Sequence, residues 1–369
     1  MYRASSRHDS IRYEHGVMGS RQPPDGVKSP PPEHVWRLLT VWWDDFLEAL
    51  RGYRPGRHHP IHLQEELCDG WYRVIHKLGY GGHSTILVAD DGEDGSPYLR
   101  LSASLGGDHM RDIPAAQRLC FPREHFVSDS CNGRHLCLVY PVLGPTVDFR
   151  IKFDREEGKN EFQDVAQQIV ETLALLHSRK ICHGDFRPSN ILLGLESLDG
   201  LEVEEVFARL GKPCTSKFTI QPSRSWKPLE STPHAPKYLV LPVDFSRADK
   251  DLVNDPSVHV IDSGESFDVS QPPPARFGIP IDYAAPEVVF DKSGATAMDL
   301  WALGCTLYSI RLGQQLFNGE KCEHPRYQLI SEDEAVDLAD LLEGLLRYEP
   351  EERLSAQEVL KHPRFHTRY

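Results

Sequence analysis

The sequence runs to 369 residues, room for about two domains, and its 40% apolar and 26% charged content excludes collagen-like and wholly disordered chains. With 55 acidic against 41 basic residues the net charge is −14, which argues against a surface-wide grip on nucleic acid and for a basic partner or substrate. The eight cysteines are scattered, without a C-x-x-C pair or a zinc-like histidine spacing, as expected of reduced thiols in the cytosol or nucleus. No apolar run approaches the roughly 18 residues of a membrane span, and the first thirty residues lack a signal-peptide core, so neither secretion nor membrane embedding is expected.

In chain order, residues 1–32 are polar, carry Pro23, Pro24, Pro30, Pro31 and Pro32, and read as a mobile arm. Trp36, Leu39, Trp43, Leu47 and Leu50 recur at helical spacing and predict a short amphipathic helix over Val35–Leu50. It is expected to pack on the domain, with Asp44, Asp45 and Glu48 on its polar face. Strand-like runs follow at Tyr72–Leu78, Ser84–Ala89, Pro97–Ser102 and Leu136–Tyr140, separated by glycine and aspartate turns. From Phe162 the period changes, because Phe162, Val165, Ile169, Val170, Leu173 and Leu176 form a long helical stripe. A small β-rich lobe thus precedes a larger helical one.

Two motifs carry chemistry. Gly79-Tyr80-Gly81-Gly82-His83-Ser84-Thr85 is a glycine-rich turn between strands, where backbone N–H groups can come close to phosphates, although such a turn alone is more often a plain hairpin. The stronger motif is His183-Gly184-Asp185-Phe186-Arg187-Pro188-Ser189-Asn190, just before Ile191-Leu192-Leu193. Phosphoryl transfer needs a carboxylate near the attacking hydroxyl, a cation for the migrating charge and oxygen ligands for Mg²⁺, and Asp185, Arg187 and Asn190 are those types at catalytic-loop spacing. Downstream, Val258–Ile261 is a strand ending in Asp262-Ser263-Gly264, followed by Ala285-Pro286-Glu287, Asp299-Leu300-Trp301 and Arg353. Singly these are a turn residue, a helix cap and a surface charge; their joint order is specific.

Over roughly residues 51–367 the sequence resembles the eukaryotic protein kinases, and within them the SR-protein-kinase-like serine/threonine kinases. Further marks of that group are Gly52-Tyr53-Arg54-Pro55-Gly56 with His59-Pro60, Lys77-Leu78-Gly79, His135–Val139, Pro233–Val240, Phe277-Gly278-Ile279-Pro280 and His362-Pro363-Arg364-Phe365. The aminoglycoside and choline kinase-like enzymes share the H-G-D-x-x-x-x-N loop but lack the A-P-E and D-x-W elements. The resemblance implies an α+β, two-lobed protein kinase fold. Its parts would be an N-terminal arm at 1–50, an N-lobe at 51–143 and a C-lobe at 144–369 with an insert at about 194–257.

The resemblance also implies ATP and Mg²⁺ as cofactors. Asp185 would be the catalytic base, with Arg187 in place of the family lysine, and Asn190 and Asp262 would hold Mg²⁺. Gly79, Gly81 and Gly82 would cover the phosphates. Pro141 would offer its C=O and Leu143 its N–H to adenine behind a gatekeeper at Tyr140, and Leu192 and Ile86 would sandwich the base. Asp299 would brace the catalytic loop, and Glu287 and Arg353 would form a buried pair. Expected partners are a protein substrate rich in Arg and Ser, with no direct nucleic-acid binding, no membrane and a monomeric state.

The sequence departs from the family in several places. Ser102 falls where the strand lysine belongs, and a hydroxyl cannot supply that point charge. Arg100 shares its face by strand alternation, either as a substitute cation or as a group crowding adenine. No glutamate occurs between Glu93 and Glu124, and Gly106, Gly107 and Pro114 leave at most a broken turn where the regulatory helix belongs. Ser263 replaces the phenylalanine of the D-F-G turn, and Arg311–Ile330 is short for the usual helices. The expectation is a kinase weakened by these losses, with a non-catalytic binding scaffold as the alternative.

Overall fold

A computed structural model describes residues 47–48, 50–81, 84–90, 113–148, 158–216, 234–252, 255–290, 294–317 and 330–367. The arm at 1–32, most of the helix expected at 35–50, Gly82, the strand Pro97–Ser102 with Arg100 and Ser102, and residues 318–329 lie outside the described residues.

Alternating apolar and polar residues build the first half. Strands β1 (Glu66–Leu67), β2 (Tyr72–Tyr80) and β3 (Thr85–Asp90) form an antiparallel sheet in that order, with Arg73 opposite Asp90, Lys77 opposite Leu87 and Gly79 opposite Ile86. The register shifts between Val74 and His76 and again between Lys77 and Gly79. A second hairpin joins β4 (Glu124–Ser130) to β5 (Gly133–Val139), and Phe126 stacks on Tyr72 with centroids 5.5 Å apart. The expected strand Leu136–Tyr140 is thus longer at its start, and its partner β4 was not foreseen. The signal was present, since Asn132-Gly133 is a hairpin turn pair and Gly133 has φ +114°. Helix α1 (Pro114–Gln117) is a single turn with proline at its start, and residues 103–112, where the broken turn is also expected, lie outside the described residues.

Of the helix expected over Val35–Leu50, only residues 47, 48 and 50 are described: Leu50 opens a 3₁₀ turn, Leu50–Gly52, and Glu48 is buried. Its carboxylate pairs with the buried ammonium of Lys77, which offsets part of the cost of desolvation.

Helical periodicity builds the second half. Helix α2 (Gly158–Ser178) buries Phe162, Val165, Ile169, Val170, Leu173 and Leu176, the stripe read from the sequence. It is followed by β6 (Ile181–Cys182) and β7 (Ile191–Leu193). The insert carries α3 (Val203–Leu210), β8 (Thr215–Ser216) and β9 (Leu239–Val240). Strand β10 (Val258–Val260) then pairs with β7, and β11 (Phe267–Asp268) with β6. After α4 (Pro286–Val289), helix α5 (Thr296–Leu312) is buried nearly all round, at the centre of the core formed with α2, α6 (Glu332–Leu345) and α7 (Ala356–Val359). Gly313 ends α5 in the left-handed conformation, and Ser331 caps α6 by accepting the Glu334 N–H.

The described part of the insert packs on the sheet. Leu198, Val206, Leu210, Val243 and Leu252 form one cluster with Ile75 and Val88 of the sheet. Val243 donates its N–H to the Lys77 carbonyl at 2.9 Å, and buried Asn132 donates to the carbonyls of His58 and His234 at 2.7 and 2.9 Å. Among the described residues no helix is long and apolar enough to cross a membrane.

Candidate active site

The glycine-rich turn joins β2 to β3. Gly81 donates its N–H to the Ser84 carbonyl at 2.8 Å, and Gly79 lies opposite Ile86, whose side chain is exposed. The segment expected to read adenine runs beside β7, because Gly144 donates to the Leu193 carbonyl and Leu193 to the Pro145 carbonyl, both at 2.9 Å. Thr146 bridges to Leu192, so Leu192 stands next to the stretch that begins at Pro141 and Leu143.

The segment His183–Asn190 fills the gap between β6 and β7. Gly184 has φ +81°, and a Cβ there would come within 2.4 Å of the Glu265 carbonyl oxygen, so no other residue fits. Asp299, fully buried near the start of α5, accepts the N–H groups of His183 at 2.7 Å and Gly184 at 3.0 Å, and bonds His177 Nε2 at 3.1 Å. Burial alone would push the Asp299 carboxyl up. The hydrogen bond and charge of His177, with the contribution of His183, more than offset it and hold the group below its usual value of 3.8. His177, in the last turn of α2, was not singled out in the sequence. Its position six residues before His183 was the available signal.

Around that brace the chemical groups converge. Arg187 Nε donates to both oxygens of Asp185, at 2.9 and 3.1 Å, and its Nη1 also reaches Ser189 Oγ. Asn190 Nδ2 donates to the Asp185 carboxylate at 2.7 Å and to its carbonyl at 2.8 Å. Ile261 donates its N–H to the Asn190 carbonyl at 2.9 Å, and His183 Nε2 lies 3.2 Å from the Ile261 carbonyl, which tethers the next residue, Asp262. Asp262 is left-handed, with φ 59° and ψ 67°, and accepts the Gly264 N–H at 3.3 Å. A non-glycine residue held in that region costs free energy that the surrounding bonds must offset.

Asn190 spends its amide nitrogen on Asp185, which leaves its amide oxygen, and Asp262 spends one carboxylate oxygen on Gly264. One amide and one carboxylate oxygen suit Mg²⁺, a hard cation that is usually held partly by phosphates. Among the described residues no group of three or more His, Cys, Asp and Glu could hold a metal without such outside ligands. The structure therefore brings Asp185, Arg187, Asn190 and Asp262 together, and Gly79, Gly81 and Ile86 together on the hairpin.

The family model of the protein kinase domain matches residues 251–365. Similar curated proteins are the serine/threonine-protein kinase SRPK of Physarum polycephalum and the serine/threonine-protein kinase AFC1 of Arabidopsis thaliana. The first is 24% identical over 86% of this chain and 90% of its own length, the second 24% over 83% and 73%. The match over residues 251–365 and these likenesses support a protein kinase. The relatives' names support an SR-protein-kinase-like serine/threonine kinase, and the β-rich first part and helical second part agree with the two-lobed α+β kinase fold. The serine/threonine-protein kinase SKY1 of Saccharomyces cerevisiae is 27% identical over a shorter stretch, 42% of this chain and 24% of its own length.

Proposed function

We propose that this kinase transfers the γ-phosphoryl group of Mg·ATP to serine or threonine in Arg/Ser-rich protein segments, at a rate lowered by the loss of the strand lysine. The observation that carries this reading is the cluster of Asp185, Arg187 and Asn190 on the loop braced by Asp299, beside Asp262. In this reading the Asp185 carboxylate takes the proton of the substrate hydroxyl while Arg187 and Asn190 hold its orientation. Asn190 and Asp262 hold Mg²⁺, which when bound neutralises and orients the phosphates. Gly79, Gly81 and Gly82 cover the phosphates, Leu192 and Ile86 flank adenine, and the backbone of Pro141 and Leu143 reads its edge. The net charge of −14 supports a basic substrate, and the scattered cysteines support a cytosolic or nuclear site of action.

The single-turn α1 and the serine at position 102 favour a second reading, a scaffold that binds nucleotide or protein without transfer. One experiment separates them. Purified wild type and Asp185→Asn are compared for Mg·ATP binding and for phosphate transfer to an Arg/Ser-rich peptide. Transfer by wild type that the variant loses supports the enzyme. Equal transfer by both leaves the scaffold in front.

A further inference from the structure

Behind the glycine-rich turn lies a buried ionic cluster that the proposed chemistry does not use. The Lys77 ammonium pairs with the Glu48 carboxylate, and Tyr53 OH donates to the other Glu48 oxygen at 2.6 Å. Only 1% of Lys77, 5% of Glu48 and 6% of Tyr53 is exposed. The lysine stands opposite Leu87, which packs with Leu67, Tyr72 and Val74, whereas Val88, the next residue along β3, packs with Ile75 and the insert. Strand alternation puts Ile86 on the Val88 side, so the Lys77 side chain points away from the face offered to adenine and is no stand-in for the lysine missing at position 102.

The backbone at Lys77 is pinned as well. Its N–H donates to His76 Nδ1 at 2.8 Å and its carbonyl accepts from Val243 of the insert. The β2–β3 register shifts directly after it, before Gly79, and its ammonium lies 4.9 Å from the centre of the Tyr80 ring inside the turn. A register shift re-aims the strand beyond it. Burial lowers the lysine's pKa against the opposing pull of Glu48, so the charge depends on its partner. A charge buried this deeply is tolerated only while paired, and Glu48 comes from outside the sheet, ahead of the Leu50–Gly52 turn.

We propose that Glu48, Tyr53 and Lys77 form a buried latch that sets the angle at which β2 enters the glycine-rich turn, so that Glu48 and Lys77 are positioning residues for the nucleotide phosphates. The phosphate part rests on the ATP-binding reading above; the latch itself does not.

The test uses the full chain with Glu48→Gln, and Glu334→Gln as a control that strips a carboxylate from buried Arg311 and Arg364 far along the sequence from the sheet. Both are measured well below their melting temperatures, by amide hydrogen exchange over residues 77–86 and by Mg·ATP calorimetry. Glu48→Gln is expected to speed exchange in that segment about tenfold and to weaken Mg·ATP binding about fivefold or more, with the control unchanged in both. Wild-type exchange over 77–86 in Glu48→Gln overturns the latch. Faster exchange with unchanged affinity overturns the positioning role. If Glu48→Gln does not fold, the Glu48→Gln/Lys77→Met double variant removes the stranded charge and should regain its melting temperature while exchange stays faster than wild type. A wild type that takes up no Mg·ATP sinks the ATP reading and the positioning role with it, and the exchange measurement still decides the latch.

Discussion

Arg353 lies on Glu287 as a bidentate pair, its two terminal nitrogens 2.6 and 2.7 Å from the two carboxylate oxygens, with both side chains buried. The same guanidinium donates to the carbonyls of Ala297 and Arg347, each at 2.8 Å, and lies over Trp301. It therefore ties α4, α5 and the 3₁₀ turn at Pro350–Glu352 at one point. Glu287→Gln strands a buried cation and should cost roughly 3 to 5 kcal/mol. Arg353→Met should cost at least as much, because it leaves a buried carboxylate and also removes the donor to three carbonyls, those of Arg347, Ala297 and Tyr348. Urea unfolding of both variants checks this, and a loss under about 1 kcal/mol for either would show that the pair is dispensable.

Asp299 gives an acid limb to stability. Its folded pKa lies below the usual 3.8, so the folded state binds its proton less readily than the unfolded chain does. The contribution is complete above about pH 4 and is lost as pH falls from there through the lower folded value. Asp299→Asn should therefore be much less stable than wild type at pH 7, and the gap should narrow below pH 4. Melting temperatures across that range provide the measurement, and a gap constant with pH would remove Asp299 from the acid response.

His59 acts over a higher window. Its ring sits 4.5 Å from that of His135, its Nε2 is 3.0 Å from Ser128 Oγ, and His135 in turn reaches Ser130 Oγ at 2.7 Å. Burial first, and the neighbouring His135 second, lower the His59 pKa from 6.5 to about 4, while Glu65 opposes weakly. The folded state thus holds His59 neutral where the unfolded chain would protonate it. Stability present above pH 6.5 should drain away as pH falls towards 4. His59→Asn should flatten that part of the melting profile. An unchanged slope between pH 6.5 and 4 would place the titration elsewhere.

What the sequence made legible was local. The spacing from His183 to Asn190 confines four side chains to one short loop, and the order of Glu287, Asp299 and Arg353 narrows their roles. The stripe from Phe162 to Leu176 states its helix by period alone. The contacts that escaped are long-range and aperiodic. Asn132 bonds His234 across 102 positions and Glu48 meets Lys77 across 29, and nothing in either neighbourhood marks the partner. A glutamate on a helical stripe reads as solvated because burial of a charge is visible only once its counter-ion is placed. The packing of the insert on Ile75 and Val88 escaped for the same reason.

Ser102 permits a test of the departures from the family. Ser102→Lys alone should not yield a vigorous enzyme, because no glutamate occurs between Glu93 and Glu124 to orient the new lysine, which would remain a flexible cation. Steady-state turnover near the usual kinase range of about 1 to 100 per second in that variant would refute the expectation that an orienting glutamate is needed.

Asp185 and Asp262 should fail differently when neutralised. Asp185 is held by Arg187 and Asn190 on the braced loop, whereas Asp262 sits on a left-handed turn with one carboxylate oxygen committed to Gly264. If Asp185 is the base, Asp185→Asn leaves Mg·ATP affinity nearly intact and lowers phosphoryl transfer by on the order of 10² or more. Asp262→Asn removes a charged oxygen ligand, so Mg²⁺-dependent nucleotide binding should weaken along with transfer. If both acids merely brace turns, the two variants lose stability and transfer in parallel, with no split between binding and chemistry. Calorimetry with and without Mg²⁺, set beside peptide phosphorylation for wild type and both variants, distinguishes the outcomes. An Asp262→Asn protein that binds Mg·ATP as tightly as wild type would remove Asp262 from the metal site.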